Sequence, residues 1–135
     1  MDEPLIVRRD IDLDLPAEDL WTLVAGGWEE WLVDAADVTV EPGGGGVVRD
    51  DDEDREVRIA EVVDGERISF EWWPAARPQD RSAVEMVVLP TPAGAVLRVT
   101  ETFPPAVRVQ ARAAAIRWEV RAVAAWASAA VSTPA

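Results

Sequence analysis

Histidine, cysteine, lysine and tyrosine are all missing from this 135-residue chain. Those are the side chains from which metal sites, nucleophile dyads and neutral-pH proton shuttles are usually built, so the chain is better equipped to bind than to react. Without cysteine there is no disulfide framework, although that alone does not fix the compartment. Also missing is any long uninterrupted apolar run: the Ala/Val-rich stretch near the C-terminus is broken by Arg112, Arg117, Glu119 and Arg121, and the N-terminus lacks the basic start and apolar core of a signal peptide. A cytoplasmic location is therefore expected. No internal repeat is present, and the length suits a single domain, 1–135, with one core.

Tryptophan, by contrast, is abundant. Trp21, Trp28, Trp31, Trp72, Trp73, Trp118 and Trp126 make seven, spread over every segment that reads as structured, so they are able to converge on one interior, either as packing or as the wall of a ligand site. Acidic groups are the other excess. The formal net charge is −13, concentrated in residues 1–71, which hold 22 acidic groups against 6 arginines, whereas residues 72–135 hold 4 against 7. Such a surface repels phosphate backbones and anionic lipid, which argues against nucleic acid and membrane as partners and favours solubility.

Periodicity organises the chain. Leu5, Val7, Ile11, Leu13 and Leu15 alternate with Ile6, Arg8, Asp10, Asp12 and Asp14, the period of two of a strand with one buried face. Pro16, Glu18 and Asp19 suit a helix N-terminus, Leu20, Leu23 and Val24 supply its apolar stripe, and Gly26-Gly27 ends it. Trp28-Glu29-Glu30-Trp31-Leu32 fits a second short helix. From about Asp37 the signals are those of strands, around 38–40, 47–48, 55–63, 66–73, 82–89 and 95–103, joined by hairpin turns at Asp64-Gly65 and Pro92-Ala93-Gly94 and by a longer loop over Pro74–Asp80. The segment from about Val107 to Val131 reads as a long alanine-rich helix, apolar on two sides through Val109, Ala113, Ile116, Val120 and Val123 and through Trp118, Ala122, Ala125 and Ala129. Small alanines between such a helix and a sheet leave room for a cavity.

This order of elements, with Leu20-Trp21, Trp28-Glu29-Glu30-Trp31-Leu32, Val40-Glu41-Pro42-Gly43-Gly44, Ala60-Glu61-Val62, Glu66-Arg67-Ile68-Ser69-Phe70-Glu71-Trp72, Leu97-Arg98-Val99-Thr100-Glu101-Thr102 and Trp118, resembles the SRPBCC or START-like superfamily, and within it the branch named after the activator of heat-shock-protein ATPase. The resemblance implies an α+β helix-grip fold: a curved antiparallel sheet of six to seven strands wrapped on a long C-terminal helix, with two short helices after the first strand. It also implies a hydrophobic cavity between sheet and helix, used across the superfamily for lipids, sterols, polyketides and other apolar ligands. Some relatives are cyclases or hydrolases. A chaperone partner carries less weight, since a single short domain lacks the additional domain of the eukaryotic activators.

Three function classes follow: a carrier or sensor of a small hydrophobic ligand, a cyclase- or dehydratase-type enzyme, and a protein-interaction module. The expected ligand-binding residues are Trp31, Phe70, Trp72, Met86, Val99, Glu101, Trp118 and Ala122. Leu97, Val99, Glu101 and Phe103 share one face of the last strand, which places Glu101 near the mouth of the expected cavity as the weak catalytic candidate, a base or an orienting group; its structural alternative is to be frayed into solvent or paired with an arginine such as Arg98 or Arg121. Glu71, Arg67, Glu85 and Arg98 are expected on the outward face. No cofactor is implied and no metal is expected: Asp50, Asp52 and Asp54, followed by Val57 and Glu61, mimic a calcium loop, but Arg55 occupies its glycine position and strands flank it. The four glycines at 43–46 lack the Gly-Lys-Ser/Thr of a phosphate loop and read as a flexible turn. An interaction module would show an exposed tryptophan patch at Trp72-Trp73 or Trp28-Trp31.

Overall fold

The computed structural model describes residues 5–104. The expected closing helix, with Trp118, Ala122 and Arg121, lies outside the described residues. Among the described residues, β1 (Leu5–Leu13) is followed by α1 (Ala17–Gly26) and α2 (Trp28–Trp31), and then by β2 (Ala35–Val38), β3 (Gly45–Asp50), β4 (Glu53–Val63), β5 (Arg67–Pro74), β6 (Ser82–Thr91) and β7 (Gly94–Phe103). The strands form one sheet in the order β1-β7-β6-β5-β4-β3-β2, every pairing antiparallel. No helix of the described residues is long and apolar enough to cross a membrane.

Alternation decides which side chains enter the core. In β5 and β7 every second residue is buried, and the helices pack on that inner face, α1 against β6 and β7. The Pro16 carbonyl accepts from the Asp19 and Leu20 amides, both at 3.0 Å, which starts α1 without a side-chain cap. Leu20, Leu23 and Val24 are its buried stripe, joined by Trp28, Trp31 and Leu32 in one core with the sheet. Each such side chain removed from water contributes about 1.5–3 kcal/mol.

Three local features depart from simple alternation. Asp51 and Asp52, the two residues between β3 and β4, have φ of 51° and 61°, the left-handed pair of a type I′ hairpin made without glycine. Gly45 and Gly46, read from sequence as flexible turn, belong to β3 instead; a Cβ at Gly46 would lie 1.9 Å from the Asp37 carbonyl oxygen, so the run serves close backbone approach as well as turning. Finally, the β4–β5 register skips between Ile59 and Glu61. Ala60 is the extra residue of a bulge, Glu61 stays outside and Val62 packs on the core.

Candidate functional site

The inner face is built in rows that register fixes. Ile59, Phe70, Val84, Glu101 and Val7 lie across β4, β5, β6, β7 and β1 in one row; Val57, Trp72 and Ser82 form the next. Met86 and Val99 pair in a third, between Ile68 and Arg9. Glu101 is thus a carboxylate set among apolar side chains, and it is only 3% exposed. Its Oε2 accepts from Trp72 Nε1 at 3.0 Å and from Ser82 Oγ at 2.6 Å. Two neutral donors converging on one oxygen give the charge the hydrogen bonds that burial demands.

Trp72 links this carboxylate to its surroundings. Its ring meets Phe70 edge-on at 5.4 Å, and Phe70 meets Trp28 at 4.9 Å, so an aromatic run leads from α2 to Glu101. On another side the Arg55 guanidinium lies 5.0 Å from the Trp72 ring and within 3.5 Å of a Glu53 carboxylate oxygen. The other carboxylate oxygen of Glu53 accepts from Arg77, 3.1 Å away, and Arg77 also donates to Asp80 at 3.0 Å. The Asp80 and Glu53 carboxylates accordingly hold the Arg77 guanidinium above its ordinary pKa. With the Ala75 amide on the Asp54 carbonyl, these contacts fasten the loop of residues 75–81 to the β3–β4 hairpin beside Trp72.

Six of the expected ligand-binding residues, Trp31, Phe70, Trp72, Met86, Val99 and Glu101, are buried on or against this inner face; Trp118 and Ala122 fall outside the described residues. The Trp31 indole N–H donates to the Leu23 carbonyl at 2.9 Å. Arg98 does not pair with Glu101: it is on the outer face, bidentate to Asp10 at 2.9 and 3.1 Å, and alternation separates it from Glu101 by facing the other way. Sequence reasoning did not single out Ser82, and it marked Arg55 only as the residue in the glycine position of the calcium-like stretch; both carry a signal for the inner face, since Ser82 continues the buried series Val84, Met86, Val88 and Arg55 the series Val57, Ile59.

Asp52 and Asp54 turn to Arg49, at 3.8 and 2.9 Å, while the acids that do converge, within 4.8 Å, are Asp34, Asp50 and Asp51. Trp28, Trp31 and Trp72 are buried, so neither Trp28-Trp31 nor Trp72-Trp73 presents two exposed rings. Trp73 faces outward, its N–H on Glu56 at 2.8 Å and Arg81 stacked 4.1 Å over its ring.

The family model described as activator of Hsp90 ATPase homolog 1-like protein matches residues 14–127. The chain belongs to that family, AHSA1. Comparison with the curated proteins finds no match. Among solved structures, protein MLL2253 from Mesorhizobium loti superposes on this AHSA1-like chain with a TM-score of 0.85 at 23% identity, over 96% of the AHSA1-like chain and 100% of its own length. DynU16, from the dynemicin biosynthetic locus, gives 0.81 at 14% identity over 96% of the AHSA1-like chain and 48% of its own. CalU16 from Micromonospora echinospora gives 0.71 at 15% identity over 93% and 74%. Identities at this level show a shared fold.

Proposed function

We propose that this AHSA1-like domain binds a small, largely apolar ligand against the inner face of its sheet, with the polar end of the ligand met at Glu101. The observation that carries the reading is the buried carboxylate itself. A carboxyl group buried among Val84, Phe70 and Val7 carries a desolvation cost that its hydrogen bonds must repay, and an apolar residue there would pack as well. Retaining it makes sense when something besides stability uses it: two donors fix its orientation, and the apolar rows beside it supply area for a hydrophobic body.

A neutral naphthylamine dye tests this. It should bind saturably with one-to-one stoichiometry, quench or shift Trp72 emission and raise the melting temperature by mass action. Glu101→Gln should weaken ligands that carry a hydroxyl or amine by about tenfold, the effect of one charge-assisted hydrogen bond, while leaving a purely apolar probe unchanged. Absence of any saturable probe would refute the reading.

A second reading takes the same carboxylate as the base of a cyclase- or dehydratase-type enzyme, favoured by the fold neighbour from a biosynthetic locus. The same variant separates the two: an enzyme loses turnover with Glu101→Gln while substrate still binds.

A further inference from the structure

A groove of about 470 Å³ opens between the α1–α2 turn and strand β2, with none of Trp72, Ser82 or Glu101 in its lining. Its volume is in the range of small-molecule sites. One wall is Ala36, Val38 and Val40; the other is Ala25, the Gly26-Gly27 turn and Trp28. Glu29 and Glu30 complete it, and no arginine among the described residues lines it.

The polar groups of this groove are one-sided. The Trp28 indole N–H is spent on the Val24 carbonyl at 2.7 Å, the Gly27 amide on the Leu23 carbonyl at 3.1 Å, and the Ala36 amide of the edge strand on Glu29 Oε1 at 2.9 Å. That last bond fixes the Glu29 carboxylate across both walls and shields the open edge of β2. The groove thus presents acceptors and negative charge beside a smaller apolar area from Ala25, Ala36, Val38, Val40 and Trp28, within the half of the sequence that holds 22 acidic groups against 6 arginines. Neutral ligands gain only the walls, and anions are repelled; an ammonium on an apolar body satisfies both parts.

We propose that this groove is a second binding site, selective for small lipophilic cations. It stands independently of the inner-face reading, because it shares with that site only Trp28 as a boundary. The octyl series tests it, with octyltrimethylammonium, octanol and octyl sulfate titrated calorimetrically at low and high ionic strength. The cation should bind one-to-one and weaken with salt, and the alcohol and sulfate should bind at least several-fold more weakly.

Glu29→Gln/Glu30→Gln should lower the cation's affinity by about 3- to 10-fold, the scale of partly exposed ion pairs, without moving the melting temperature, since a glutamine in place of Glu29 keeps an acceptor for the Ala36 amide. Val38→Trp, which fills the groove from β2, should abolish cation binding and leave the naphthylamine dye bound. Equal affinity for all three octyl compounds, or a cation indifferent to both variants, overturns the proposal. So does displacement of the dye by the cation, which places both in one site, and so does preferential binding of a basic peptide that displaces the cation, which makes the groove a protein surface.

Discussion

The two ends of the inner face are built from the same strands yet differ in kind. At the end beside the β6–β7 turn, Leu13, Ala95, Leu97 and Val88 meet Leu20, Leu23 and Val24 in wholly apolar packing. At the other end, Glu101, Ser82, Arg55 and Asp50 share the face with Trp72, and the strained Asp51-Asp52 turn and the loop of residues 75–81 close in beside them. A sheet that only had to be stable would be dry throughout, as its first end is. Apolar packing is therefore concentrated at one end and buried polar groups at the other, along single strands such as β7, which runs from Ala95 to Glu101.

Truncation measures that contrast most directly. Leu97→Ala should cost about 2–5 kcal/mol, since it leaves a cavity in the dry end; denaturant unfolding checks this, and a cost below about 1 kcal/mol would mean that the two ends are not energetically distinct. Glu101→Ala should cost less, about 1–3 kcal/mol, because it strands the Trp72 and Ser82 donors. Removing the carboxylate and one donor together with Glu101→Leu/Ser82→Ala should recover part of that cost, since of the two donors only the Trp72 N–H then loses Glu101. A strongly destabilised double variant would show that the polar end is structural after all.

The hairpin tip offers a smaller test of where strain is stored. Asp51→Asn/Asp52→Gly supplies the residue pair a type I′ turn favours and should raise stability by about 0.5–1 kcal/mol, read as a higher denaturation midpoint at unchanged slope. Loss of stability would mean that the Asp52 carboxylate contributes more through Arg49 than the left-handed backbone costs.

The smallest effect is expected on the outer face, away from both ends. The hydrogen bond from Arg98, and then its charge, hold the Asp10 carboxyl below the usual carboxylate range. A lowered folded-state value means that the stabilisation is present above the ordinary carboxylate pKa and is lost as pH falls through the lowered one. The small advantage of the native chain over Asp10→Asn should therefore persist at neutral pH and vanish in acid, as a melting series across pH would reveal. An advantage that grew in acid would reverse the assignment.

The six-strand meander β2–β7 and the two helices after β1 are legible in the sequence because alternation and turn residues are local signals, whereas the pairing of β1 with β7 is not local. Leu97, Val99, Glu101 and Phe103 on one face of β7 follow from the same rule, which is why Glu101 stands out from sequence alone. Its partners do not. Ser82 and Trp72 reach it diagonally across β6 and β5, and that geometry depends on register, which turns and bulges set at a distance. The glycine run misleads for a related reason: Gly46 is demanded by the backbone of Asp37 on a neighbouring strand. A left-handed Asp51-Asp52 turn likewise carries no glycine to announce it.

The bulge at Ala60 has a bearing on how this chain tolerates changes of length. Side chains in β4 alternate in and out, so deleting one residue at Val57 or Arg58 would swing Arg55 and its neighbours to the opposite face. Deleting Ala60 would do no such thing, because Glu61 already pairs with Ser69 and Val62 with Ile68, as though Ala60 were not counted. In the lineage of this domain, position 60 is where a single codon can be gained or lost with the core still in frame; elsewhere in the strand, length should change by two residues at a time.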